Sequence, residues 1–270
     1  MKLLLSIVLL VLAGAGEAQD QPCSVGPPCS AAQSPPPGVD YGRAETRPLV
    51  AFIGDSLPNV SVFDNPPMFS LGFTNCRKPP FMGICFPDRI ATLHPEWEVR
   101  VVAVNGTKLI DWGPRADLES DEDLFSTIPA GDVAVVLLGA NDTINVFRPG
   151  GPVRQAEFEL RAKHLTWALL DRGYERVVWL TTPVAQKWVG TPGVEVLLRE
   201  YAEAIKVVCT EMRRCRWVDL QARLGPGEVT NPSNVHFTTS GHARITAILE
   251  PILARIVART RSYTPHRWSR

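Results

Sequence analysis

Five apolar stretches rich in β-branched residues punctuate the chain after Pro48: LVAFIGDS from Leu49, VRVVAVNG from Val99, VAVVLLGAND from Val133, RVVWLTTP from Arg176 and RWVDL from Arg216. Their apolar positions are consecutive rather than alternating, which is the pattern of strands covered on both faces. Between them the period changes to that of a helix. Phe158, Ala162, Leu165 and Leu169 make one stripe, and Val194, Leu197, Leu198, Tyr201, Ile205 and Val208 make a longer one. A last helical stripe carries Ile245, Ile248, Leu249, Ile252 and Ile256, with Thr239 or Ser240 expected as its cap and Pro251 expected to kink or divide it. Strands alternating with helices predict a parallel sheet with helices on both sides, whose ligands sit beyond the carboxyl ends of the strands. The polar tails of the five stretches fall there.

The chain outside this pattern reads differently. Met1 to Ala18 joins a basic start at Lys2, the apolar run LLLSIVLLVL and a small-residue ending, the order of a secretory signal peptide. The run is too short for the roughly 20 residues of a membrane span, so no stable membrane span is expected. Residues 19–47 are rich in Pro, Gly, Ser and Gln and are expected to be a linker, leaving 48–270 as one α/β domain. All six cysteines lie after the signal; in a secreted, extracytoplasmic protein they are expected to form disulfides, and the close couples 23/29, 76/85 and 209/215 suggest local bridges. The absence of any CxxC, with no His flanking the cysteines, speaks against a zinc site, and no metal is expected. Lys plus Arg equals Asp plus Glu at 28 each, so the chain offers no net field for a polyanion and nucleic acid is not an expected partner.

Several strand ends carry residues with chemistry. Ile53-Gly54-Asp55-Ser56-Leu57 ends the first stretch, and a Ser on a strand-to-helix turn there would present its hydroxyl at the edge of the sheet, near a helix N-terminus. The second stretch ends in Asn105-Gly106, where a glycine lets a backbone N–H approach a reacting atom. The third ends in Gly139-Ala140-Asn141-Asp142, and an Asn amide there can donate to a developing oxyanion. His236 lies just before the last helical stripe. Taken singly, each of these segments is also an ordinary turn. Asn59, Asn105 and Asn141 each begin a glycosylation sequon; Asn141 is expected to be unmodified, because a glycan would consume its amide.

In order and context, GDS with Ser56, the lone Gly106, GxND with Asn141 and the late His236 resemble the four blocks of the SGNH (GDSL-type) hydrolase superfamily. The resemblance runs from Leu49 to the last helix. It implies a flavodoxin-like, three-layer α/β/α domain with a five-stranded parallel sheet, and an esterase needing no cofactor. Ser56 would be the nucleophile and His236 its base, with the oxyanion held by the backbone N–H groups of Ser56 and Gly106 and by the Asn141 side chain. One block departs from the family: three residues before the His, where the family has an acid, stands Ser233. Ser233 or a backbone carbonyl could orient His236, a carboxylate such as Glu228 or Asp219 could reach it, or the protein could be a catalytically weak binding module on a hydrolase scaffold. The loops beyond the strands hold Phe69, Phe73, Trp112, Phe147 and Trp188, of which Trp112, Phe147 and Trp188 are the candidates for a substrate pocket. A monomer acting on a small-molecule or glycan ester is expected, with a lipase or an acyltransferase as the alternative use of the same residues.

Overall fold

The computed structural model describes residues 47–58, 60–62, 73–75, 83–113, 124–144, 152–191, 193–225, 228, 230 and 235–262. The expected signal peptide and linker lie outside these residues, apart from Arg47. In chain order the elements are β1 (Leu49–Gly54), β2 (Val60–Val62), β3 (Phe73–Asn75), α1 (Phe86–Leu93), β4 (Glu98–Ala103), β5 (Val133–Leu137), α2 (Gln155–Asp171), β6 (Arg176–Leu180), α3 (Val194–Glu211), β7 (Cys215–Val218), α4 (Leu220–Arg223), β8 (Phe237–Thr238) and α5 (Thr239–Ser262).

Five strands form one sheet in the order β4-β1-β5-β6-β7, and every pair in it is parallel. Successive side chains of each strand point to opposite faces, so each strand feeds two cores. Val50 and Phe52 of β1 pack with Phe86 and Ile90 of α1 and with Ile245, Leu249 and Leu253 of α5. Ala51 and Ile53 pack with Phe158, Leu165 and Leu169 of α2 and with Tyr201, Ile205 and Val208 of α3. The result is the expected three-layer α/β/α arrangement. Each fully buried Leu, Ile, Val or Phe in it contributes about 1.5–3 kcal/mol relative to an exposed one. The continuous apolar runs follow from this double coverage.

The strand order places a topological switch point at β1, whose neighbours β4 and β5 lead the chain to opposite faces; crevices at such points receive ligands. Register fixes the edge: Gly54 lies opposite Ala103 on one side and Leu137 on the other, so the segments carrying Ser56, Gly106 and Asn141 all leave the sheet at the same end.

A second, three-stranded sheet in the order β3-β2-β8 was not expected from the sequence. In it β2 pairs in parallel with β8, Ser61 opposite Phe237 and Val62 opposite Thr238. Thr230 bridges the same Phe237, and its hydroxyl accepts a hydrogen bond from the N–H of Gln186 at 2.7 Å.

Of the two alternatives for Pro251 one is excluded, and one expectation about the last helix is corrected. Its cap is Thr238, whose Oγ1 accepts the Gly241 N–H at 3.0 Å, rather than Thr239 or Ser240, which lie inside the helix. Nor does Pro251 divide it: α5 is continuous through that residue. Pro251 and Ala247, whose carbonyl loses its partner, are both exposed, so water can satisfy the orphaned acceptor. Cys209 and Cys215 form a disulfide, joining the end of α3 to the start of β7, and Cys85 is also disulfide-bonded. Among the described residues no helix is long and apolar enough to cross a membrane.

Candidate active site

Ser56 follows β1 by two residues. Gly54, the last residue of β1, has no room for a side chain: a Cβ there would lie 2.7 Å from the Leu137 carbonyl oxygen and 2.8 Å from the Pro58 ring. The expected strand-to-helix turn is absent. From Ser56 the described chain turns at 57–58 and continues into β2, because Pro58 and the Val60-Ser61-Val62 alternation favour extended backbone. No helix N-terminus therefore faces the site from this turn. The Asp55 carboxylate takes its place as organiser, with Oδ1 accepting the Leu57 N–H at 2.8 Å and closing the turn around Ser56.

His236 immediately precedes β8. Pairing of β8 with β2 brings it back to the edge where Ser56 lies, and its Nε2 lies 2.8 Å from Ser56 Oγ. Burial lowers the pKa of the imidazole from 6.5 to about 4, so the ring is neutral at pH 7 and Nε2 is able to accept the hydroxyl proton.

Gly106 sits in a turn two residues beyond the next residue after β4, at φ +77°, a conformation that suits glycine. Among the described residues, neither its N–H nor that of Ser56 has an acceptor. Asn141 opens a short 3-10 turn, Asn141–Thr143, and is buried. Its Nδ2 donates to the Thr107 carbonyl at 3.0 Å and to Asp55 Oδ2 at 3.2 Å. These bonds tie the three loops that carry Ser56, Gly106 and Asn141 to one another.

Sequence reasoning assigned no role to Asp55 or Asp142, treating both as turn residues, yet both are fully buried. Asp142 accepts the Leu109 N–H with both carboxylate oxygens, at 3.2 and 3.1 Å, and so anchors the loop after Gly106. Burial raises the pKa of each to about 7; the Asp142 charge adds to the rise at Asp55, and the N–H groups of Leu57 and Leu109 oppose it. Their place inside the GDS and GxND blocks was the available signal, but burial is not legible from a motif.

The candidate orienters of His236 are dispersed. Asp219 caps α4, its Oδ1 accepting from Ala222 N–H and from the Thr181 hydroxyl. Glu228 is exposed, accepts the Gly225 N–H and pairs with Arg244 at 2.6 Å. Ser233 lies outside the described residues. Of the expected pocket aromatics, Trp112 is corrected to a core residue: it is fully buried, with its Nε1 donating to the Thr107 hydroxyl at 3.0 Å. Trp188 keeps only 7% of its surface and packs in the core on the α1/α5 side. Both are buried because their large apolar rings contribute most when removed from water. Phe69 and Phe147 lie outside the described residues, and no group of three or more His, Cys, Asp or Glu among those described could hold a metal.

Solved structures share this architecture. A carbohydrate esterase family 2 enzyme with a carbohydrate binding domain, from Corynascus thermopiles (Myceliophthora fergusii), superposes with a TM-score of 0.57 at 16% identity, over 78% of this chain and 67% of that one. Axe2, an acetylxylan esterase from Geobacillus stearothermophilus, gives 0.51 at 21% identity over 79% and 93%. A putative arylesterase from Agrobacterium tumefaciens gives 0.53 at 18% over 77% and 99%. At these identities the likeness is one of fold. No curated protein matches in sequence. The sequence of residues 52–244, which includes Ser56, Gly106, Asn141 and His236, matches the GDSL-like Lipase/Acylhydrolase family. The chain therefore belongs to that family of carboxylic ester hydrolases.

Proposed function

We propose that this protein is a secreted serine esterase that works through an acyl-enzyme on Ser56 and removes short acyl groups, such as acetyl, from glycans or small alcohols. The observation that carries the reading is the 2.8 Å contact between Ser56 Oγ and His236 Nε2 at the switch point of the sheet. His236 takes the hydroxyl proton as Oγ attacks the ester carbonyl. The carbonyl oxygen gathers charge and is held by the N–H groups of Ser56 and Gly106 and by Asn141 Nδ2. Collapse expels the alcohol, which leaves with the proton from His236. Water, activated by the same imidazole, then attacks the acyl-enzyme and releases the acid. The neutral state of His236 at pH 7 supports its role as base.

Acetylated carbohydrate as substrate is supported by the acetyl xylan esterases among proteins of like fold. Secretion is supported by the signal-like first residues and by the Cys209–Cys215 disulfide. The Asn141 sequon is expected to stay unglycosylated, since both hydrogens of Nδ2 are engaged inside the fold.

The test is labelling with a fluorophosphonate probe together with hydrolysis of p-nitrophenyl acetate. The wild type should label and turn over, and Ser56→Ala should do neither. A folded wild-type protein that does neither would refute the esterase reading. In a panel running from acetylated sugars to long-chain esters, rates that rise with chain length would overturn the carbohydrate assignment.

A further inference from the structure

The Asn141 side chain raises a question of orientation. An amide can be turned by half a revolution about its last torsion at almost no cost in shape, exchanging a donor end for an acceptor end. With the carbonyl end at the oxyanion position, Asn141 would repel the charge that it is meant to hold. Two groups decide between the orientations. The Thr107 carbonyl, at 3.0 Å, can only accept. Asp55 Oδ2, at 3.2 Å, accepts the other Nδ2 hydrogen, while its Oδ1 is committed to the Leu57 N–H at 2.8 Å. Both amide hydrogens are thus spoken for before any substrate arrives, and the longer bond is the one to Asp55.

We propose that Asp55 is a positioning residue for the oxyanion site: with the Thr107 carbonyl it locks the Asn141 amide with its NH2 end inward, and it is the acceptor that gives up a hydrogen to the developing oxyanion. This rests on Asn141 acting as an oxyanion donor.

The lock makes an unusual prediction about two substitutions. In Asp55→Asn the new side chain has one carbonyl, which the Leu57 N–H claims, so its NH2 faces the NH2 of Asn141. Asn141 must then either tolerate a donor against a donor or turn its own carbonyl onto that of Thr107. In Asp55→Ala the conflict is absent: Asn141 keeps Thr107 and has a hydrogen to offer. The closer replacement should therefore be the worse one, with kcat for Asp55→Asn lowered about a hundredfold, the scale of losing one oxyanion donor, and for Asp55→Ala about tenfold or less. KM should change little in either.

Measurement of kcat and KM for both variants, alone and combined with Asn141→Ala, separates the two ideas. In the Asn141→Ala background the gap between the Asp55 variants should close. If Asn141→Ala alone leaves kcat unchanged, the oxyanion reading fails. If Asn141→Ala lowers kcat but Asp55→Asn is the milder Asp55 variant, or the gap persists without Asn141, the lock is refuted while the oxyanion reading stands. Should a variant fail to fold, the wild type decides. In the side-chain NMR spectrum of Asn141, the phosphonyl adduct at Ser56 should move one amide proton and leave the other in place; movement of both or of neither overturns the proposal.

Discussion

At the scale of single residues, the site is governed by groups removed from water. Burial depresses the pKa of His236 from 6.5 to about 4, and in its proposed role as base it works only when neutral. We therefore expect kcat/KM to hold from pH 7 down to about 5 and to fall as pH drops through about 4, far below the fall expected for an unperturbed imidazole. A carboxylate in the position the family gives to its acid should reverse part of this: Ser233→Asp should move the acid limb upward and raise kcat, both read from one pH–rate profile. Asp55 and Asp142 run in the opposite sense. Their pKa values are about 7 in the folded protein against 3.8 for a free side chain, so their favourable contribution is complete below about 3.8 and is lost as pH rises through 7. His236 costs stability in the other direction, as pH falls from 6.5 towards 4. With two groups against one, the melting temperature should be higher at pH 5.5 than at pH 8, and Asp142→Asn, which keeps an acceptor for the Leu109 N–H, should flatten the alkaline decline. None of this was legible in the chain: GDS and GAND show that one Asp adjoins Ser56 and another adjoins Asn141, but a carboxylate in a turn and one sealed under it are spelled the same way.

At the scale of elements, what could be read depended on how far each element's burial repeats. The five strands of the main sheet were readable because both of their faces are covered, and the stripes of α2, α3 and α5 because one face of each helix is. β2, β3 and β8 comprise three, three and two residues, too few for any period, and exist because they pair with one another. They matter out of proportion to their length, since β8 against β2 returns His236 to Ser56. Replacing Ser61 by Pro, which strips a backbone N–H from β2, should lower kcat on the order of tenfold or more while shifting the melting temperature little, because the main core is untouched. The last helix gives a prediction of stability alone. Pro251 is exposed, in the interior of α5 and away from the site, so Pro251→Ala should raise stability by about 1–3 kcal/mol, seen as a higher denaturation midpoint with kcat unaltered.

At the scale of the whole molecule, alternating strands and helices predicted the parallel sheet and its helices on both sides, and the four blocks placed the site at one edge. The order β4-β1-β5-β6-β7 is the further step that puts β1 at the switch point. That order follows from right-handed crossovers that pack α1 on one face and α2 and α3 on the other, a global constraint that no single segment encodes. It also partitions the chemistry. Ser56, Gly106 and Asn141 all precede residue 144, whereas His236 follows residue 152, and the two stretches meet through β5 against β6 and β2 against β8. The protein is thus a natural candidate for a split reporter: cut within 145–151, one piece carries the proposed nucleophile and oxyanion donors, the other carries the proposed base, and ester hydrolysis by the mixed pieces would register that the seam between β5 and β6 has closed.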